Sequence, residues 1–301
     1  MKRPPALQQG NKAIIVSPAG KIDETLVRNA ASVLSEWGLD VTIAQHALCE
    51  SGRFSGFVEQ RLSDLQQAMD DPNIRLIFCS RGGYGVTHLL DKLNFAGIKK
   101  NPKWIVGYSD ITALHTALQK EGIISVHAPM AKHFSDEGSG DVSVRYTKAL
   151  LAGQSVKYDI LTTEKSYLNR HGKTTGRLFG GNLTVFCGLL GTPYLKVPKN
   201  GILCIEDIGE APYKIDRMIH QLKLSGILSD LKGLIVGQFT DYEEDNQMYA
   251  TLYESIQSAV SEYTYPVCFD FPMGHVKHNF PMLLGARVSL SVNRERVILR
   301  Q

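Results

Sequence analysis

The segment IVGYSDIT (105–112) puts a hydroxyl where the chain must change direction. The apolar run Trp104, Ile105, Val106 stops at Gly107, Ser109 follows two residues later, and an acid and helix-forming residues come next. A serine on a tight strand-to-helix turn exposes its Oγ, and the N–H of the next residue points toward the same spot. That arrangement suits a nucleophile with a built-in oxyanion donor, here the N–H of Asp110. The RGG turn at 81–83 also follows an apolar strand, and its glycines let the backbone come close enough to a ligand to supply a second donor. Ser109 as a simple N-cap of the following helix fits the same residues. The strict G-x-S-x-G pattern is broken by Ile111, so both readings stand on local sequence.

A nucleophilic serine needs a base, and the base needs a group to orient it. Of nine histidines, His88, His115 and His220 fall in helical patterns, His46, His133 and His171 in polar loops, and His127 after an apolar strand. His275 and His278 lie in MGHVKHNFPMLLG (273–285), a Gly/Pro-bounded segment able to project a ring into a cleft. The acids gather where the run GILCI meets Glu206 and Asp207, with Glu210 and Asp216 close behind. They fit an orienting carboxylate, charge placement at a helix N-terminus, a surface turn, or a Mg²⁺ or Ca²⁺ site. Neither a D-x-D-x-D-G loop nor an H-E-x-x-H helix accompanies them, and no metal is expected.

These groups need a scaffold. In the first half, KAIIVSP (12–18), DVTIA (40–44), IRLIFCS (74–80) and KWIVGY (103–108) read as strands. Helical patterns alternate with them over 26–37, 57–69, 86–93 and 111–122, which implies right-handed βαβ units and a parallel sheet. Ligands of such sheets sit outside the carboxyl ends of the strands, where RGGYG and GYSD both fall. After about residue 150 the pattern becomes polar and broken, then turns to short strands, one helix over 213–226 and a terminal hairpin. The expected fold is α/β, with a Rossmann-like parallel-sheet domain over 1–150, a linker over 151–172 and a smaller β-rich, barrel-like domain over 173–301.

Composition narrows the class. With 301 residues, 43% of them hydrophobic, the chain can bury a sizeable core. A net charge of +3 spread over scattered basic residues gives no footprint for nucleic acid, and the densest basic run, IKKNPK (98–103), reads as a solvated loop. Five cysteines without a C-x-x-C spacing fit buried free thiols in a reducing compartment. AIIV near the N-terminus is too short for a signal peptide, and no run approaches the roughly 18 apolar residues of a membrane span. The expectation is a soluble cytoplasmic protein.

Seven segments in order, SPAG (17–20), RGGYG (81–85), GYSDIT (107–112), HAPM (127–130), GGNLT (180–184), EDIGEAPYKIDR (206–217) and GH…N (274–279), resemble the LD-carboxypeptidase family of serine peptidases. That family comprises the muramoyltetrapeptide carboxypeptidases and their microcin-immunity relatives. Ala128 stands where members usually carry glycine. The resemblance implies a triad of Ser109 as nucleophile, His275 as base and Glu206 as its orienting group. It implies an oxyanion hole from the N–H groups of Asp110 and Gly83. It also implies a two-domain fold with Ser109 on the first domain and Glu206 and His275 on the second, and a homodimer without metal or organic cofactor. The implied substrate is a peptidoglycan tetrapeptide, cut between its third residue and the terminal D-alanine during cytoplasmic wall recycling. An exopeptidase must also hold a free carboxylate, for which Arg81, Arg177 and Arg217 are the candidates. The alternatives are a microcin-immunity-type hydrolase of peptidyl-nucleotide amides, an α/β-hydrolase, and a non-catalytic binding protein that holds an anion on the RGGYG turn. The chain's two tryptophans, Trp37 and Trp104, both lie in the first half, which favours the carboxypeptidase over the microcin-immunity branch.

Overall fold

Runs of branched apolar residues, each closed by glycine or a polar turn, build the first of two sheets. The computed structural model describes residues 1–301, and the chain divides into two compact units, residues 1–155 with 277–285 and residues 156–276 with 286–301.

In the first unit, β1 (Lys12–Val16), β2 (Asp40–Ile43), β3 (Ile74–Cys79), β4 (Trp104–Gly107) and β5 (Ser125–His127) run parallel in the order β2-β1-β3-β4-β5. The far edge is completed by Met282–Leu284, antiparallel to β5. Helices α1 (Glu24–Glu36), α2 (Val58–Asp70), α3 (Ala96–Lys100) and α4 (Thr112–Lys120) connect the parallel strands, and α5 (Ala131–Glu137) and α6 (Val142–Leu151) follow β5. Asp23 caps α1 by accepting from the Thr25 N–H, and Val27, Ala30, Val33 and Leu34 form its buried stripe. Strand order reverses at β1, which has β2 on one side and β3 on the other, so a crevice opens beyond the carboxyl ends of β1 and β3. SPAG follows β1, RGGYG follows β3 and GYSD follows β4.

One expected helix is missing. Residues 86–93 form only a short 3₁₀ turn, Val86–His88, and further turns. Gly85 enters it at φ +129°, and the Val86 N–H is taken by the Asp110 carboxylate at 2.9 Å. Leu89 and Leu90 are buried by this folded-back turn rather than by a helix face.

The second unit is also α/β. Its strands β6 (Lys157–Leu161), β7 (Gly172–Asn182), β8 (Ile202–Ile208), β9 (Gly233–Thr240), β10 (Val267–Cys268), β12 (Arg287–Val292) and β13 (Arg296–Arg300) lie in the order β10-β9-β8-β7-β12-β13-β6, with Met282–Leu284 counted as β11 of the first sheet. From β7 to β10 the pairing is parallel; from β7 to β6 it is antiparallel. Helices α7 (Leu183–Gly188), α8 (Pro212–Leu224) and α9 (Leu252–Ala259) bury Phe186, Ile219 and Ile256 in one cluster with Leu203, Ile205 and Val236 of the parallel strands. The sheet has two distinct edges, and the chain leaving β6 returns to make a single bridge from Arg170 to Val267 on β10.

The expected boundaries shift in two places. Residues 151–172 are not a linker, because Lys157–Leu161 is an edge strand of the second sheet. Tyr158 turns inward, while Lys157 and Asp159 face out, and these charges gave the segment its polar look. Residues 277–285 return to the first unit and supply its last strand. No helix of the protein is long and apolar enough to cross a membrane.

One buried histidine sits close behind the serine corner. His115 of α4 is fully buried, its Nε2 lies 2.8 Å from the Gly107 carbonyl and its Nδ1 2.8 Å from Ser125 Oγ. A carbonyl only accepts, so Nε2 carries the hydrogen and Nδ1 accepts from the hydroxyl. Burial pulls the imidazole down to about 4. The ring is neutral when folded, so its contribution to stability is complete above the unfolded value near 6.5 and is lost as pH falls through 4. The gap corresponds to about 3 kcal/mol of acid sensitivity. Denaturant titrations of the parent and His115→Gln at pH 4 to 7 are expected to show a steeper acid loss in the parent; parallel curves would contradict this.

Candidate active site

Ser109 adopts φ +63°, one of four non-glycine residues at positive φ. The left-handed region costs a side-chain-bearing residue roughly 1 kcal/mol or more, so the surrounding structure must enforce it. Helix α4 has Ile111 at its N-cap and no side-chain capping bond, so the Ser109 hydroxyl caps no helix. Gly107 allows the tight packing beneath, since a Cβ there would meet Ile111 Cγ1 at 2.9 Å and Cys79 Cβ at 3.0 Å. Its carbonyl is fixed from both sides, by the Ala128 N–H at 3.1 Å and by His115.

The RGGYG turn touches this corner. A Cβ on Gly82 would lie 2.8 Å from Ser109 Cβ, 3.0 Å from its Oγ and 3.2 Å from the Asp110 nitrogen. Only glycine fits there. The Gly82 carbonyl accepts from the Gly20 N–H at 2.9 Å, so in the trans peptide the Gly83 N–H points the opposite way. Neither the Gly83 nor the Asp110 N–H donates within the loops of this unit.

The Asp110 side chain faces inward. Burial raises its carboxyl above the usual range, against the Val86 N–H, the charge of Arg61 and the Gly85 N–H, which favour the anion. Arg61 of α2 is itself buried, and its Nη1 donates to the carbonyls of Pro18 at 2.8 Å and Gly85 at 2.9 Å. One guanidinium therefore ties SPAG to RGGYG beside the Asp110 charge, with the Phe54 ring 5.0 Å away. Sequence reading passed over Arg61, because a charged residue in an amphipathic helix looks solvent-facing. Arg81 is exposed and donates to the Lys21 carbonyl at 2.8 Å.

In the second unit the ED pair lies near the end of β8, and its two members take different partners. Glu206 is fully buried, and its Oε2 lies 2.8 Å from His275 Nδ1. Burial pushes its carboxyl up, and the hydrogen bond and charge of His275 pull it back. Asp207 instead accepts from Asn182 Nδ2 at 2.8 Å and from the Thr184 N–H and hydroxyl at 2.8 and 2.7 Å. Asn182 pairs with Glu206 across β7–β8 and caps α7 by accepting from the Val185 N–H, a role legible in GGNLT. Glu210 pairs with Lys214 at 3.4 Å and Asp216 with His220 at 3.5 Å, so no two of the four acids share one of these partners. No three His, Cys, Asp or Glu side chains of the chain cluster as a metal site would require.

Glu206 sits at a β-bulge, where the β8–β9 register slips between Ile205–Val236 and Asp207–Phe239. Bulges re-aim side chains. Gly237 on β9 has no room for a Cβ, which would meet the Met273 carbonyl at 2.7 Å. Gly274, at φ +124°, likewise excludes one, since it would meet Glu206 Cβ at 2.9 Å and Oε2 at 3.0 Å. These two glycines let the 273–275 turn close on the carboxylate.

The other candidates have surroundings of their own, and His127 stands beside the serine corner as the register partner of Gly107. His278 is exposed. His127 is buried on β5, edge-on to Tyr108 with centroids 5.6 Å apart. His46 and His133 pair with Asp64 and Asp141 at 2.8 and 3.0 Å. Arg217 is exposed on α8 and lies over Tyr213 at 5.6 Å. Arg177 is exposed on β7 opposite Arg287, five residues and so roughly 16 Å from Asn182.

Residues 14–128 match the LD-carboxypeptidase N-terminal domain and residues 175–290 the LD-carboxypeptidase C-terminal domain. A putative carboxypeptidase of Synechocystis is 35% identical, over 96% of this chain and 94% of its own. A probable murein peptide carboxypeptidase of Bacillus subtilis is 31% identical, over 99% and 94%. Among solved structures, the muramoyltetrapeptide carboxypeptidase of Oxalobacter formigenes is 30% identical, covers 96% of this chain and 98% of its own, and superposes with a TM-score of 0.85. A sharply turned serine after a parallel strand, a buried glutamate on a histidine and these matches agree: the chain belongs to the LD-carboxypeptidase family of serine peptidases.

Proposed function

We propose that this enzyme removes the terminal D-alanine from peptidoglycan tetrapeptides, cutting after the L-centre of the third residue, and that it acts in the cytoplasm as a homodimer in wall recycling. The observation that carries the reading is Ser109, held at φ +63° and capping no helix. Relatives named for murein peptides and muramoyltetrapeptides support the substrate class. Five free cysteines, four of them buried, agree with a reducing compartment.

In this mechanism Ser109 is the nucleophile, His275 the general base and Glu206 the group that fixes the imidazole. With Nδ1 donating to Glu206, Nε2 is the nitrogen able to take the serine proton. Oγ attacks the scissile carbonyl, and the N–H groups of Asp110 and Gly83 stabilise the oxyanion. The C–N bond breaks as His275 returns the proton to the leaving amine of D-alanine. Water then attacks the acyl-enzyme under the same base and frees Ser109. The substrate's free carboxylate is assigned to Arg81, which directly precedes the glycine packed on Ser109.

Release of D-alanine from a purified tetrapeptide is the first test. Ser109→Ala and His275→Ala are each expected to lower kcat by ~10⁴-fold or more. Release that survives Ser109→Ala would end the mechanism. Covalent labelling of Ser109 without D-alanine release would instead move the substrate toward peptidyl-nucleotide amides.

Arg81→Ala is expected to raise KM at least ~10-fold with a smaller change in kcat, while Arg177→Ala and Arg217→Ala leave KM near the parent value. Parent-like kinetics in all three would remove arginine from carboxylate recognition.

Glu206→Gln separates stability from activity. A carboxyl raised by burial favours the protonated form in the fold, so the cost of its ionised state is absent below about 4.3 and present above its folded value. The variant is therefore expected to gain stability relative to the parent as pH rises from 4 to 8, while kcat falls ~10³- to 10⁴-fold. Loss of stability at neutral pH, or an unchanged kcat, would count against this role.

A further inference from the structure

Helix α2 sinks a charged side chain among the loops around Ser109. Arg61 is 2% exposed, and Asp110, whose charge it faces, is 3% exposed. Burying charge is costly, and apolar residues of similar volume often hold a fold together as well or better. Something beyond loop packing must favour a guanidinium here.

Both hydrogen bonds of that guanidinium lead to the peptides that offer the oxyanion donors. Nη1 donates to the Pro18 carbonyl at 2.8 Å and to the Gly85 carbonyl at 2.9 Å. Two residues after Pro18, the Gly20 N–H donates to the Gly82 carbonyl at 2.9 Å. That carbonyl shares a planar peptide with the Gly83 N–H, so the loop held at Pro18 sets the direction of the donor. On the other side of Gly83, Arg61 holds the Gly85 carbonyl, while the Asp110 carboxylate accepts from the Gly85 N–H and, at 2.9 Å, from the Val86 N–H. Asp110 thus offers one donor from its backbone and grips the loop of the other with its side chain, and the Arg61 charge favours the ionised, accepting form of that side chain. Glycine makes these approaches possible. A Cβ on Gly85 would meet Arg61 Nη1 at 2.6 Å, and one on Gly20 would meet the Gly82 carbonyl at 2.9 Å.

We propose that Arg61 is a positioning residue for the oxyanion hole, acting through Asp110 and the Gly82–Gly83 peptide to hold the two N–H groups at one spacing. The inference rests on the assignment of that hole to Asp110 and Gly83. Misplaced donors matter little while a planar carbonyl binds and much once the oxyanion forms, so the effect falls on kcat rather than KM. Both bonds leave from one nitrogen, so a lysine ammonium can reproduce the charge and at least one of them.

Kinetics and inhibition of the full chain test this. The probe is a tripeptide whose third residue ends in an aldehyde. Addition of Ser109 Oγ to the aldehyde carbon forms a C–O bond, moves the carbonyl π pair onto oxygen and passes the hydroxyl proton to His275. Arg61→Met is expected to lower kcat ~10²-fold with KM within ~3-fold of the parent. It is expected to weaken the aldehyde by the same ~10²-fold and to leave binding of the product tripeptide carboxylate unchanged. Arg61→Lys is expected to recover at least ~10-fold of the lost kcat. Arg61→Met strands a buried Asp110 charge, so Arg61→Met with Asp110→Asn serves as the stability control. The double variant is expected to melt closer to the parent than Arg61→Met does, yet to keep the low kcat, because nothing holds the Pro18 and Gly85 carbonyls. Where Arg61→Met alone does not fold, the double variant and Arg61→Lys carry the same comparison. Recovery of kcat together with melting temperature would make Arg61 a purely structural residue and overturn the inference. A parent-like kcat, or equal loss of aldehyde and carboxylate binding, would overturn it too and leave the oxyanion hole standing. A parent that holds the aldehyde no tighter than the carboxylate would remove the hole itself, and the inference with it.

Discussion

A carboxylate with no exposure to water, hydrogen-bonded to an imidazole, is the constraint around which the second unit is organised. Removing a carboxylate from water costs several kcal/mol unless a partner offsets it. His275 supplies that partner, and the fold spends three irregularities on bringing it close. The β8–β9 bulge aims Glu206, and Gly237 and Gly274 leave no atoms where the 273–275 turn must pass. None of these would be worth keeping for a surface acid. The next residue shows the contrast, since Asp207 receives three donors from Asn182 and Thr184 and serves as an anchor for α7. One sequence step therefore separates a carboxylate that holds a base from one that holds a helix.

The first unit meets a similar constraint with backbone rather than charge. A left-handed Ser109 is costly, and the elements that enforce it are glycines 82 and 107 and the hydrogen bonds of His115 and Ala128 to the Gly107 carbonyl. The Arg61–Asp110 cluster then ties the SPAG and RGGYG loops to the residue after the serine. These are loops of adjacent strands at a point where sheet order reverses, and such an edge gathers ligand-facing groups by topology alone.

The parallel strands and their helices were legible because buried strands read as short apolar runs and helices as a 3.6-residue stripe. Ser109 and the ED pair were visible as chemistry at strand ends. The opaque parts share a physical reason, which is that local pattern does not record distant partners. Residues 86–93 look helical until the Val86 N–H is seen on Asp110. Lys157–Leu161 looks like a linker because its outward charges hide the inward Tyr158. Met282–Leu284 carries no sign that it leaves the second sheet for the edge of the first. Arg61 looks solvated because nothing local announces two carbonyl acceptors in other loops.

The two halves of the second sheet divide their labour by what covers them. From β7 to β10 the strands run parallel and pack helices α7 to α9, so a charge placed there must be partnered, as Glu206 and Asp207 are. From β7 to β6 the strands are antiparallel with one wet face, where charge costs little and like charges can be set opposite one another. Strand β7 belongs to both regimes. Its exposed, basic start and its buried, glycine-rich end at Asn182 lie only a few residues apart. That change along a single strand is why Arg177, a reasonable carboxylate partner by composition, stands with Arg287 on the open face, while Asn182 stands beside the buried glutamate.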